Sequence, residues 1–481
     1  MNRNTESHFS LNPHVDISRS RFDRSASVKT SFNVGDIVPF YVEEVLPGDT
    51  FQVKSSKVVR MQTLLTPMMD NVYLDTYYFF VPNRLVWAHW KQFCGENTQS
   101  AWVPQTEYNV PQLVSPSETG WSVGTIADYF GIPTGVPGLS VNALPFRAYA
   151  LIMNEWFRDQ NLQDPLVVPL HDNTLTGVNT DTFVTDVAKG GKPYIASKYH
   201  DYFTSCLPSP QKGPDVVIPV AQVGNLPVVP LAEKVPSSLI SNQAYTASFV
   251  NGSNPSTGSR LIEFNSSTGN QTPGSSTGSV GSSEGVPVIN NLWAMQDGNA
   301  QAATINQLRL AFQIQKFYEQ QARGGSRYTE VVRSFFGVTS PDARLQRPEY
   351  LGGNRIPINV NQVIQQSGTE SSGTPQGTVV GMSQTTDTHD DFMKSFTEHG
   401  FIIGVMCARY DHTYQQGLNR MWSRKDKFDY YWPVFANIGE QAVKNKEIFA
   451  TGSAPGSKDD EVFGYQEAWA DYRYKPSQVT G

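Results

Sequence analysis

Short apolar runs with two-residue alternation, separated by turn residues, recur along the chain, as antiparallel strands with a covered face require. Asp36-Ile37-Val38-Pro39-Phe40-Tyr41-Val42 leads into Leu46-Pro47-Gly48-Asp49, whose Pro-Gly pair suits a tight turn, and a second strand is predicted from Val53 to Met61. Val72 to Val81 reads as a third strand, dense in aromatic residues at Tyr73, Tyr77, Tyr78, Phe79 and Phe80. Phe401-Ile402-Ile403-Gly404-Val405-Met406-Cys407 is apolar throughout, the pattern of a strand covered on both faces. Phe428-Asp429-Tyr430-Tyr431-Trp432-Pro433 reads as an edge or corner, because proline has no ladder donor, and the apolar surface around Tyr430, Tyr431 and Trp432 is expected to be covered by neighbouring copies.

Helical spacing appears in four places. Asn83 is placed to cap a short helix carrying Leu85, Trp87, Trp90 and Phe93, ending before Gly95. Pro145 suits a first helical position, and Tyr149, Ile152, Met153, Trp156 and Phe157 recur at three- and four-residue steps, which predicts a helix over 145–161. Gln301 to Arg323 carries a wide apolar stripe through Ile305, Leu308, Phe312 and Ile314-Phe317 and is stopped by Gly324. Thr329 to Phe336 ends at Gly337. These helices are expected in connections between strands of one mainly β domain over 35–481, because such connections lengthen at little cost to a sheet core.

Two stretches break the pattern. Residues 1–34 are polar, with Arg19, Arg21, Arg24 and Lys29 among serines, and read as an extended arm. Asn251 to Gly285 is nearly all Ser, Thr, Gly and Asn, with Phe264 its one aromatic, and cannot bury enough surface to fold alone. It is expected to be a surface insertion, or a lobe ordered by neighbouring copies, within a protrusion over 231–290. Its flanks offer apolar anchors at Tyr245 and Phe249. A smaller polar insertion runs from Gln365 to Gln384.

Charge narrows the function. Lys and Arg number 37 against 44 Asp and Glu, net −7, with only 17% of residues charged against about 25% in ordinary soluble domains. A polycation that neutralises nucleic acid unaided is excluded, and low charge beside 39% hydrophobic residues points to surface that faces other protein. Cys94, Cys206 and Cys407 lie far apart with no CxxC pair, which argues for isolated thiols in a reducing compartment. The first residues lack an apolar stretch and no run approaches the ~18 apolar residues of a membrane span, so neither secretion nor membrane insertion is expected.

No catalytic or cofactor chemistry is predicted. The chain has no Walker loop and no strand-linked GxGxxG; Gly190-Gly191-Lys192 lacks both flanks. The histidines form no HExxH, and His389-Asp390-Asp391 and Asp411-His412 would hold metal only if the fold converged them. Glu43-Glu44 and Asp459-Asp460-Glu461 are adjacent acids that a strand points to opposite sides, not a glycosidase pair. The sequons at Asn251, Asn265 and Asn270 reflect composition. Ser-Arg-Ser-Arg-Phe-Asp-Arg-Ser in the arm combines guanidinium donors with small hydroxyls suited to phosphate, so Arg19, Arg21, Arg24 and Lys29 are the candidate nucleic-acid contacts; lacing of a neighbouring subunit is the alternative.

Several long words resemble one family. Val15-Asp16-Ile17-Ser18-Arg19-Ser20-Arg21-Phe22, Gly35 to Val42 through Leu46-Pro47-Gly48-Asp49-Thr50-Phe51, Asn154-Glu155-Trp156-Phe157-Arg158-Asp159-Gln160-Asn161-Leu162, and Phe463-Gly464-Tyr465-Gln466-Glu467 are similar to the major capsid proteins of gokushoviruses, small single-stranded DNA phages of the Microviridae. The resemblance implies a mainly β protein built on an eight-stranded antiparallel jelly roll, with long loop insertions containing a few helices. It implies sixty copies in a T=1 icosahedral virion shell around circular single-stranded DNA, assembled in the bacterial host cytoplasm. It also implies a small basic internal DNA-binding protein, a DNA pilot protein, and a threefold protrusion that meets a host-cell surface receptor. The candidate protrusion residues are Tyr245, Phe249, Asn251, Arg260, Phe264 and Gly285. Sixty copies at −7 would carry about 420 excess negative charges, so a basic accessory must do most of the neutralising of the genome. The competing class is a glycan-binding or glycan-cleaving β-sandwich, since jelly rolls host lectins as well as shells.

Overall fold

The computed structural model describes residues 18–62, 68–97, 106–216, 304–360 and 383–480, and the backbone of 361–364, 379–382 and six short strands between 228 and 294. The chain divides into two compact units, Met1–Pro210 with Ala322–Gly481, and Gln211–Gln321.

The first unit is built on two antiparallel sheets. Its strands are β1 (Asp36–Val45), β2 (Thr50–Met61), β3 (Val72–Pro82), β4 (Glu349–Pro357), β5 (Val360–Ile364), β6 (Val379–Ser395) and β7 (Gly400–Tyr410). One sheet runs β4-β3-β7-β1 and ends on the two-residue strand Tyr194–Ile195; the other runs β5-β6-β2. Successive strands cross from one sheet to the other at the 46–49 turn, where Asp49 N–H donates to the Leu46 carbonyl and Gly48 takes φ 91°, the left-handed value that glycine accepts without strain.

Alternation along β3 and β7 decides the layering. Tyr78, Phe80 and Ile402 face β2 and β6, packing with Val45, Phe396, Phe51 and Val53. Phe79, Val81, Phe401, Ile403, Val405 and Cys407 face the other way, into a larger core filled by the 83–196 insertion. Each fully buried Ile or Phe there contributes ~1.5–3 kcal/mol relative to exposure. A bulge between Pro39 and Tyr41 in β1 shifts the alternation, so that Ile37 joins the insertion core while Val45 joins the inter-sheet core.

The insertion is anchored by α1 (Leu144–Ile152), which carries Pro145 in its first turn and continues as a π turn over Met153–Phe157. Arg158 is extended, so this helix ends before the predicted residue 161. Tyr149 donates to the Ile37 carbonyl at 2.6 Å, tying α1 to β1. Arg147, fully buried among these apolar residues, donates to the carbonyls of Val86 and His171.

Three expectations need correction. The 83–93 helix is two separate turns, Asn83–Val86 and Trp90–Phe93, and Asn83 does not cap it. Trp87 is extended because its buried indole donates to Asp172 at 2.5 Å. Phe428 to Pro433 forms no strand: Asp429 accepts from the Lys425 and Asp426 amides at 2.8 and 3.0 Å, which closes a 3₁₀ turn instead. Part of the predicted polar insertion 365–384 is the first third of β6, whose polar residues pair in register with β2. Residues 365–378 lie outside the described residues.

In the first unit, Tyr328–Phe336 forms a helix stopped by Gly337 at φ 67°, as its sequence predicts. Glu440–Lys444 pairs with Val462–Glu467, beside a small core of Tyr202, Phe203, Cys206, Val443 and Ala470. The second unit holds an antiparallel sheet in the order 273–275, 260–264, 248–250, 288–289, and a separate pair, 228–230 with 292–294. A long helix, Ile305–Gly324, has a reciprocal cap between Thr304 and Gln307; residues 301–303 of the predicted helix lie outside the described residues.

Candidate assembly and nucleic-acid surfaces

The arm lies extended and exposed from residue 18, and local bonds fix parts of it. The Ser25 amide and hydroxyl donate to Asp23, Tyr129 donates to the Ser31 carbonyl at 3.0 Å, and Phe32 packs beside Val72 and Leu74. Arg19 donates to the Gly48 carbonyl in the β1–β2 turn, and Arg24 pairs with Glu43 at 2.8 Å. Among the described residues, Arg21 and Lys29 face no carboxylate within ion-pair distance. The four candidate cations therefore separate into two that fasten the arm and two that remain open.

A second surface lies where the sequence predicts exposed aromatic residues, around Tyr430, Tyr431 and Trp432. Residues 420–435 and 469–474 bring Trp422, Phe428, Tyr430, Tyr431, Trp432, Val434 and Tyr472 to the outside, with Trp422 71% and Val434 87% exposed. Their backbone is nevertheless fixed. Trp432 donates to the Lys427 carbonyl at 2.8 Å and Trp469 to the Phe435 carbonyl at 2.9 Å. Arg424 contacts Asp471 and lies 4.3 Å over the Tyr472 ring. Tyr431 meets Trp469 and Tyr472 edge to face. An exposed apolar face held rigid by its own hydrogen bonds is prepared for burial by a partner. The run Phe428-Tyr430-Tyr431-Trp432 was the available signal.

The remaining acids have local partners. Asp460 contacts Lys444 and Lys446, which hold its carboxyl down at about 2. Asp459 accepts from the Thr451 and Gly452 amides, and Asp390 pairs with Lys54. Burial pulls His412 below the usual imidazole range. No group of three His, Cys, Asp or Glu among the described residues is placed to hold a metal ion. Burial pushes the Cys206 and Cys407 thiols up to about 12.

The densest charge network joins β3, β4 and β7. Buried Asp75 accepts from Arg355 at 2.8 Å, from Arg409 at 2.5 Å and from Tyr199 at 2.7 Å, and both guanidinium groups lie 4.3 Å over the Tyr199 ring. Burial pushes the Asp75 carboxyl up, but the hydrogen bonds from Arg355, Tyr199 and Arg409 outweigh it and hold the group below the usual range. Burial and the Asp75 carboxylate likewise push the Tyr199 phenol up.

In the 231–290 segment, Phe249 stands opposite Arg260 and Ile289, and Phe264 opposite Pro273. The predicted low-complexity loop thus includes two paired strands, 260–264 and 273–275. Tyr245, Asn251 and Gly285 lie outside the described residues.

Comparison with known proteins decides what these surfaces belong to. The model of the family Phage_F, capsid protein (F protein), matches residues 10–481. The chain belongs to this capsid protein family. It is 43% identical to capsid protein VP1 of Chlamydia phage 1 over 98% of this chain and 85% of that one. It is 43% identical to capsid protein VP1 of Spiroplasma virus 4 over 98% and 84%, and 40% identical to that of Bdellovibrio phage phiMH2K over 100% and 85%. The resemblance to gokushovirus capsid proteins is confirmed, and the chain is a structural capsid protein and not an enzyme. Family membership implies self-assembly and a place in the virion, and no helix among the described residues is long and apolar enough to cross a membrane.

The Asp75 network gives the capsid subunit an acid limit. A carboxyl depressed in the folded state contributes stability above its unfolded value of about 3.9 and loses it as pH falls through the folded value. Asp75→Asn leaves two partly buried guanidinium groups without their countercharge and should cost about 3 kcal/mol at neutral pH. Urea denaturation of wild type and variant should converge as pH falls below about 3.9; a constant difference across pH would contradict the assignment.

Proposed function

We propose that the chain is the major subunit of a T=1 icosahedral shell of sixty copies that encloses circular single-stranded DNA and assembles in the host cytoplasm. The observation that carries this reading is the rigid, exposed aromatic face of residues 420–435 in a chain whose family is capsid protein. The eight-stranded jelly-roll reading is supported by five strands in one sheet and three in the other, with successive strands crossing between them. The arm's contact with DNA falls on Arg21 and Lys29, with Arg19 and Arg24 holding the arm against the body. A small basic protein supplies the remaining neutralisation, and a pilot protein delivers the genome. The 231–290 segment forms the threefold protrusion, where Tyr245, Phe249, Asn251, Arg260, Phe264 and Gly285 of three copies meet a host receptor. The whole chain remains one capsid domain, 35–481, with an arm at 1–34.

Three outcomes follow from one set of purified particles. Tyr431→Ser with Trp432→Ser should give a folded subunit that sediments without forming particles, because buried aromatic anchors carry most of an interface's energy; particles in wild-type yield would contradict the assembly face. Arg21→Ala with Lys29→Ala should leave shells intact but lower their DNA content and flatten its salt dependence; unchanged DNA per particle would make the arm structural only. Deleting Asn251 to Gly285 should leave assembly intact and abolish attachment to host cells; normal attachment would refute the receptor role, and failure to assemble would make the segment an interface.

A further inference from the structure

Lys57 and Asp391 meet between the two sheets, apart from every surface described above. Lys57 stands on the inward face of β2 opposite Asp387 of β6, and a bulge between Asp390 and Phe392 sets Asp391 out of the strand's alternation. The Asp391 side chain has no solvent exposure, that of Lys57 is 12% exposed, and Lys57 Nζ lies 3.9 Å from Asp391 Oδ1. An N–H···O bond needs about 2.7–3.2 Å, so the two do not share one. Asp391 takes only a loose contact from the Tyr78 hydroxyl and no hydrogen bond from Lys57, while Nζ donates to Thr76 Oγ1 on the facing sheet at 3.1 Å. The wall around them is Tyr78 and Ser55, and burial followed by the Asp391 carboxylate pushes the Tyr78 phenol up.

Two ions buried without a hydrogen bond between them are unfavourable, and transfer of one proton from Nζ to the carboxylate removes both charges. Burial acts in that direction, pulling the Lys57 ammonium below its usual range against the opposing pull of Asp391 and Asp387. A neutral amine against a carboxylic acid is the reactant pair of amide condensation, and Lys57 and Asp391 stand 3.9 Å apart on neighbouring strands. Both are fixed by the strand ladder, which replaces the entropy of bringing two groups together.

We propose that Lys57 and Asp391 join in an intramolecular isopeptide bond that staples β2 to β6. Nζ attacks Asp391 Cγ; the Nζ–Cγ bond forms, the bond from Cγ to the protonated oxygen breaks, and that hydroxyl departs with one proton from nitrogen as water. Asp387, beside Lys57 and held by the Asn354 amide at 2.8 Å, is the carboxylate that takes the nitrogen proton and returns it to the leaving oxygen. No oxidant or cofactor is consumed. Phe51, Val53 and Phe392 pack with Tyr78 in the core between the sheets and limit the water that would reverse the step. The bond would lock two neighbouring strands of one sheet together in a chain whose cysteines are all free thiols, and would be indifferent to reduction.

Mass spectrometry of the intact, denatured chain tests this directly. The wild-type chain should be lighter than its sequence by one water, and a tryptic digest should contain a branched peptide joining the segment around Lys57 to that around Asp391. Lys57→Arg and Asp391→Ala should each restore the full mass. A wild-type chain at its full sequence mass overturns the proposal, as does a lost water mapped to any other residue. If either variant fails to fold, the wild-type mass and digest still decide the matter.

Discussion

The antiparallel pairing of β3 with β7 places the rest of the molecule, because its two faces are both buried and each selects a different partner. One face takes Tyr78, Phe80 and Ile402 against the second sheet, and the other takes Phe79, Val81, Ile403 and Val405 against the 83–196 insertion. A one-residue slip of this ladder would exchange the two sets and expose both cores to mismatched surfaces. The outer strands, the arm and α1 take their positions from this pair.

Burial of that sheet on both faces leaves the exposed aromatic face of 420–435 outside the two cores. The exposed 420–435 segment is held by hydrogen bonds from the Trp432 and Trp469 indoles to its carbonyls and by ring contacts with the Trp469–Tyr472 stretch, whose Trp469 and Ala470 are themselves buried. Assembly through the face proposed above would need no rearrangement of the sheets. On the proposed reading, burial of these surface aromatics by a second copy supplies the driving force.

Local signals in the sequence reached the elements that depend on neighbours in the chain. The continuous apolar run 401–407 could only be a strand covered twice, Pro47-Gly48 could only turn, and Gly337 stopped its helix in the left-handed conformation. What escaped depends on distant partners. Trp87 leaves its helix for Asp172, and β6 looks like a polar linker because one face is solvated and the other meets Ser55 and Lys57. The Asp75 cluster draws residues from positions 75, 199, 355 and 409, a convergence no local pattern announces. The arm was legible as an arm, but its division into fastening and open cations required the positions of Gly48 and Glu43. Family words across the chain supplied the function that local chemistry, lacking any catalytic pattern, could not.

Hydrogen exchange measured on the free subunit and on assembled particles tests the central claim most directly, since it separates surface that folding buries from surface that assembly buries. The account predicts that amides of β3 and β7 are equally protected in both forms, and that amides of 420–435 gain protection only in the particle. Equal exchange of 420–435 in the two forms, or protection of β3 and β7 that appears only on assembly, would contradict it.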